Sequence, residues 1–72
     1  MFEKVKTILR QYTDVETIEE TSMLQADLGL NSLDVVELVV EFEDTFHIEI
    51  ADRDLTKFVS VKDIVEYLET KV

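Results

Sequence analysis

Residues 31–47 read N-S-L-D-V-V-E-L-V-V-E-F-E-D-T-F-H, and the apolar spacing within them decides the fold. At about 100° per residue, Val35, Leu38, Val39, Phe42 and Phe46 fall within one arc, the i, i+3, i+4, i+7, i+11 pattern of a helix face turned to a core. Asn31 is a residue type that caps helices. Asp34, three positions on, completes a capping-box pattern and puts negative charge in the first turn. The spacing predicts a helix from Ser32 to Phe46 or His47.

A second set, Leu33, Val36 and Val40, falls more than a quarter turn from the first and is interleaved with Asp34, Glu37, Glu41, Glu43 and Asp44. Apolar residues ringed by carboxylates have the anatomy of a small protein-protein site, with an apolar centre for affinity and a charged rim for steering. The plainer alternative is that the apolar three cover the edges of the core and the acids form a solvated face. Between Asp34 and Asp54 eight carboxylates accompany one base, Arg53. Little i, i+4 pairing is available, so this face carries self-repulsion that a purely structural helix does not need.

Working outward, Phe2, Val5, Ile8, Leu9 and Tyr12 recur at helical spacing and predict a first helix of about three turns that fades near Thr13. Residues 13–31 show no helical period and read as a long ordered loop, a length that in a compact domain is usually functional. A short helical turn is expected around Asp52 to Phe58. Ser60 then caps a last helix, with Asp63 at its third position and Val61, Ile64, Tyr67 and Leu68 as its buried stripe, packing across the first two helices. The expected fold is all-α: a small four-helix bundle, three longer helices and one short, with a long first loop.

Seventy-two residues allow one core and a single domain, 1–72, because so short a chain buries only about 60% of its unfolded surface. No apolar run approaches the roughly 20 residues of a membrane span, and Met1-Phe2-Glu3-Lys4 does not open a signal peptide; a cytoplasmic protein without membrane insertion is expected. Cysteine is absent, so a thiol, if the function needs one, must come from a prosthetic group. Residues 1–12 hold Lys4, Lys6 and Arg10 against Glu3, a balance of +2, which leaves −12 of the net −10 on the remaining 60. Such a field repels nucleic acid and steers toward basic protein surfaces.

Residues 27–43, D-L-G-L-N-S-L-D-V-V-E-L-V-V-E-F-E, resemble the signature of acyl carrier proteins, in which a serine ahead of a leucine opens the second helix. The resemblance extends over the whole chain, including the long first loop, the acidic second helix and the later I-E-I-A-D-R-D segment. It implies that Ser32 takes 4'-phosphopantetheine from coenzyme A through a separate, magnesium-using transferase. It also implies a non-catalytic, monomeric carrier of acyl thioesters, of the fatty-acid-biosynthesis type, that docks on basic surfaces of the transferase and of acyl-transferring and synthase enzymes. Those partners would meet Leu33, Asp34, Val36, Glu37, Val40, Glu41, Glu43 and Asp44. An acyl chain would be lined by Val36, Val39, Phe42, Phe46, Ile50, Leu55, Phe58, Ile64 and Leu68, each of which also reads as ordinary core.

A hydroxyl in the first turn of a helix points away from the core, and a phosphodiester there meets the positive end of the macrodipole and free N–H groups. Gly29, the only glycine, suits a turn with φ > 0 leading into that helix. The family usually has aspartate before the serine, so Asn31 removes one negative charge beside the site while keeping the cap.

Other readings are weaker. Ser32 lacks the G-x-S-x-G elbow of a hydrolase, and the lone histidine, His47, lies about four turns along the same helix. Asp52-Arg53-Asp54 lacks the glycine and further oxygen ligands of a calcium loop, so no metal site is expected. Two alternatives stay open: a carrier dedicated to an amino acid or polyketide intermediate, and an unmodified acidic helical adaptor. The L-G-L-N-S-L context is less like peptidyl carriers, which tend to have a second glycine and a histidine before the serine.

Overall fold

Asn31 and Asp34 close a reciprocal cap. The Asn31 Oδ1 accepts the Asp34 N–H at 2.8 Å, and the Asn31 N–H donates to the Asp34 carboxylate at 3.1 Å. In the computed structural model, which describes residues 1–71, this cap opens the longest helix. The order is α1 (Phe2–Leu9), α2 (Ser32–Phe46), a 3-10 helix (Asp52–Lys57) and α3 (Val61–Lys71). The fold is all-α, a small bundle of three longer helices and one short one, as the periodicity predicts. No helix among the described residues is long and apolar enough to cross a membrane.

Helix α2 divides its two stripes as expected. Leu38, Val39 and Phe42 are buried, Val35 and Phe46 pack half-buried against them, and Leu33, Val36 and Val40 are 65%, 45% and 51% exposed. Burying a side chain the size of Leu38 or Phe42 is worth roughly 1.5–3 kcal/mol, so the first stripe anchors the helix and the second contributes little to folding. The helix stops at His47, whose backbone takes the left-handed conformation (φ 55) while its N–H bonds the Glu43 carbonyl.

The first helix is shorter than its apolar period suggests. It ends at Leu9, and the Gln11 and Tyr12 N–H groups bond the carbonyls of Ile8 and Leu9 at 3.1 and 2.9 Å, three residues back. Those tighter turns continue the spacing that brings Tyr12 onto the core without continuing the α-helix. Helix α3 begins with a second reciprocal cap, Ser60 N–H to the Asp63 carboxylate at 3.0 Å and Asp63 N–H to the Ser60 hydroxyl at 3.3 Å. Its buried residues are Val61, Ile64, Val65 and Leu68; Tyr67, expected in that stripe, is half-buried because its hydroxyl reaches out to Asp54. Helix α1 packs against both α2 and α3, and the 3-10 helix packs on α2, so α3 leans chiefly on α1.

Residues 13–31 form an ordered loop without a helix of its own. Its apolar residues Ile18, Leu24, Leu28 and Leu30 are buried, and it is stitched to the segment before α3 by backbone bonds. Leu24 N–H donates to the Val59 carbonyl, Val61 N–H to that of Ser22 and Lys62 N–H to that of Glu20, at 2.9, 3.0 and 2.9 Å. An isolated antiparallel bridge joins Met23 to Ser60. The loop thereby stands beside the 3-10 segment and delivers the chain to Ser32.

Candidate functional site

Ser32 is exposed and is the first residue of α2. The reciprocal cap occupies the N–H groups of Asn31 and Asp34, which leaves those of Ser32 and Leu33 as the orphan donors of the first turn. Gly29 enters this turn with φ 70, the left-handed conformation that its sequence position suggested, and its N–H bonds the Gln25 carbonyl at 3.2 Å. The Asp27 carboxylate accepts the Met23 N–H at 2.6 Å, which folds the loop tightly just upstream.

Ser32 stands on the edge of a groove of about 520 Å³ that is open to solvent. The loop contributes Met23, Gln25 and Ala26; α2 contributes Val35 and Val36; the far wall is Leu55, Thr56, Phe58 and Val59. The lining is mainly apolar, and the size falls in the range of about 300–1,000 Å³ typical of small-molecule sites. Of the nine residues expected to line an acyl chain, Val36, Leu55 and Phe58 border this groove. Val39, Phe42, Ile50, Ile64 and Leu68 are buried in the core behind it, and Phe46 packs half-buried at the other end of α2. Met23, Ala26 and Val59 were not foreseen in this role. They lie in aperiodic segments, which the Met23–Ser60 bridge and the neighbouring long-range backbone bonds bring together.

The partner-facing candidates share one surface. Leu33, Val36, Glu37, Val40 and Asp44 are exposed, and Asp34, Glu41 and Glu43 are partly so. Two of the acids also serve the fold. Asp34 caps α2, and Glu43 accepts the Ile50 N–H at 2.8 Å, tying the end of α2 to the segment that follows. Among the described residues the ion pairs are Lys6–Glu3, Lys57–Asp54 and Lys62–Glu66, so the carboxylates of α2 are unpaired. Their field is felt across the bundle: the Tyr12 phenol is pushed up, first by burial and then by Glu41, Glu37 and Asp34. Among the described residues no group of His, Asp and Glu side chains is gathered to hold a metal ion.

An exposed serine hydroxyl at a helix start, beside an apolar groove and at the head of an unpaired acidic face, is a layout suited to holding an attached group and presenting it to basic partners. Residues 3–68 match the family described as the phosphopantetheine attachment site. The chain is 42% identical over 72 residues to the acyl carrier protein of Wolinella succinogenes, covering 97% of this chain and 95% of that protein. It is 42% identical over 74 residues to the acyl carrier protein of Thermotoga maritima, covering 100% of this chain and 91% of that one. The chain belongs to the acyl carrier protein family, and phosphopantetheine is the group its domain holds.

Proposed function

We propose that residues 1–72 act as a single acyl-carrier domain whose 4'-phosphopantetheine is esterified to Ser32, and that it is a non-catalytic, monomeric cytoplasmic carrier serving fatty acid biosynthesis. The observation that carries this reading is the exposed Ser32 hydroxyl at the start of α2, on the edge of the groove. The residues present fit the group. The orphan N–H donors of Ser32 and Leu33, at the positive end of the helix dipole, suit a phosphodiester at that hydroxyl, and the groove offers apolar surface beside it. When bound, the group supplies the thiol that the cysteine-free chain lacks, and cargo is held on it as a thioester.

The unpaired acids of α2 and the exposed Leu33, Val36 and Val40 support docking on basic enzyme surfaces, first the transferase that modifies Ser32 and then the enzymes that load and use the cargo. Charge brings the partners together and the apolar three supply contact once they meet.

The test is incubation with coenzyme A, magnesium and a broad-specificity phosphopantetheinyl transferase, followed by intact mass and site mapping. A gain of one phosphopantetheine on Ser32, lost in Ser32→Ala, is the expected result. No gain on folded protein with several transferases would refute it and favour an unmodified acidic adaptor. Loading by amino-acid-activating or polyketide enzymes in preference to fatty-acid ones would reassign the cargo.

A further inference from the structure

The groove beside Ser32 has a floor that belongs equally to the core. Phe58 lines the groove, yet it is only 7% exposed and packs with the buried residues behind. Its ring meets Tyr67 of α3 edge-on, with centroids 5.2 Å apart and planes at 84°. The Tyr67 hydroxyl in turn donates to the Asp54 carboxylate at 2.7 Å, and the Lys57 ammonium sits 3.1 Å from the other Asp54 oxygen. One tyrosine therefore touches the 3-10 segment twice, at Asp54 within it and at Phe58 just after it, without itself lining the groove. The segment's other fastening to the core is Leu55, half-buried: no residue of Asp52–Lys57 is fully buried, and 3-10 hydrogen bonds are poorly aligned. Stretches with few buried contacts are the ones that open locally.

We propose that Tyr67 is a positioning residue: through its bond to Asp54 it holds the 3-10 helix and the Phe58 ring as a closed floor, and so sets how long an acyl chain the groove shelters. The inference rests on the reading of Ser32 as the attachment point. A short chain lies over Phe58. A longer one goes deeper only by lifting that ring out of the core, which means breaking its edge-on contact with Tyr67 and pulling against the Asp54 bond.

The first arm of the test uses the protein without any attached group. Tyr67→Phe keeps the ring and its edge contact and deletes only the hydroxyl. Amide hydrogen exchange of residues 52–58 is expected to quicken about threefold or more, the low end for the net worth of one hydrogen bond, while α1 and α2 keep their rates. Asp54→Asn retains an acceptor for the phenol but loses the Lys57 pair, and falls between the parent and Asp54→Ala. Asp54→Ala removes the Lys57 pair as well as the phenol's acceptor, so it quickens exchange at least as much as Tyr67→Phe, and adding Tyr67→Phe to it gives less than the full effect of that change alone.

The second arm loads Ser32 with straight-chain acyl groups of increasing length and measures thioester cleavage by hydroxylamine. Protection in the parent levels off at a given length, and Tyr67→Phe moves that point to longer chains, with Asp54→Asn moving it less than Asp54→Ala. Unchanged exchange in Tyr67→Phe, or an equal rise in every helix, overturns the positioning role. Coincident chain-length profiles overturn its bearing on cargo. If Ser32 does not load, the carrier reading fails and the cargo role with it, while the exchange arm still decides whether the tyrosine holds the segment.

Discussion

Asn31→Asp isolates the effect of charge at the proposed modification site from that of the fold. The Asn31 side chain uses only its oxygen in the cap, accepting the Asp34 N–H at 2.8 Å, and an aspartate oxygen does the same. A new negative charge in front of the first turn gains about 0.3–1 kcal/mol from the helix dipole, and it stands close to the Asp34 carboxylate, whose repulsion takes back a similar amount. Stability is expected to change by less than about 1 kcal/mol, or a shift of a few degrees in melting temperature. For a partner the arithmetic differs, because Asn31 is exposed and a basic group of the transferase approaches through water. One added unit charge contributes about 0.4 kcal/mol at 10 Å and about 1 kcal/mol at 4 Å, so modification of Ser32 gains about two- to fivefold in kcat/KM at low salt. Screening at 1 M salt, where the Debye length is about 3 Å, removes most of the gain. The assay is steady-state phosphopantetheinylation of both forms at low and high salt, beside thermal melts. Equal rates at low salt with several basic transferases, or a gain that salt leaves untouched, would refute an electrostatic role for this position.

Three further outcomes follow from the same structure. Gly29 has φ 70 and a methyl group there meets nothing within 4 Å, so Gly29→Ala carries backbone strain alone; about 1–2 kcal/mol, or about 4–16 °C in a melt, is expected, and a loss well above that range would point to packing that the structure does not contain. Raising salt is expected to raise the melting temperature, because the α2 carboxylates are unpaired while the net charge is −10; indifference to salt would mean that they are neutralised in solution. Burial and, second, the Asp54 bond raise the Tyr67 pKa above its ordinary 10.0, while burial and the α2 acids raise that of Tyr12. A raised folded pKa gives stability that is present below pH 10 and is lost as pH rises through the folded value, so urea midpoints should fall above pH 10, less steeply in Tyr67→Phe; identical slopes in parent and variant would contradict the assignment.

The longest helix was legible from sequence because two independent signals agree there, the Asn31–Asp34 cap and a five-residue core stripe, and the structure shows both. The end of α1 was not. Tyr12 keeps the apolar period through turns whose hydrogen bonds have already shortened to three residues, and periodicity does not distinguish the two. The short element after α2 was placed correctly but is a 3-10 helix, which six residues with no buried side chain do not announce in advance. The site divides in the same way. Ser32 and the acidic stripe lie on a periodic helix and are read directly, whereas the groove takes Met23, Ala26 and Val59 from segments joined only by long-range backbone bonds.

On the proposed reading, helix α2 gives folding and recognition to different side chains of one element. The core needs Leu38, Val39 and Phe42, all buried, and the proposed partner surface is Leu33, Val36 and Val40, all substantially exposed. Changes to the second set therefore alter docking with little loss of stability, since exposed substitutions away from caps and the core usually move it by no more than about 0.5 kcal/mol. The exceptions are Asp34 and Glu43, which bond backbone N–H groups at 3.1 and 2.8 Å while standing in the acidic face. At these two positions recognition is not free to vary independently of the fold. A charge-removing scan of α2 should thus separate into two classes: Glu37, Glu41 and Asp44, whose loss slows partners and, by relieving repulsion, leaves the melt unchanged or higher, and Asp34 and Glu43, whose loss lowers the melt as well.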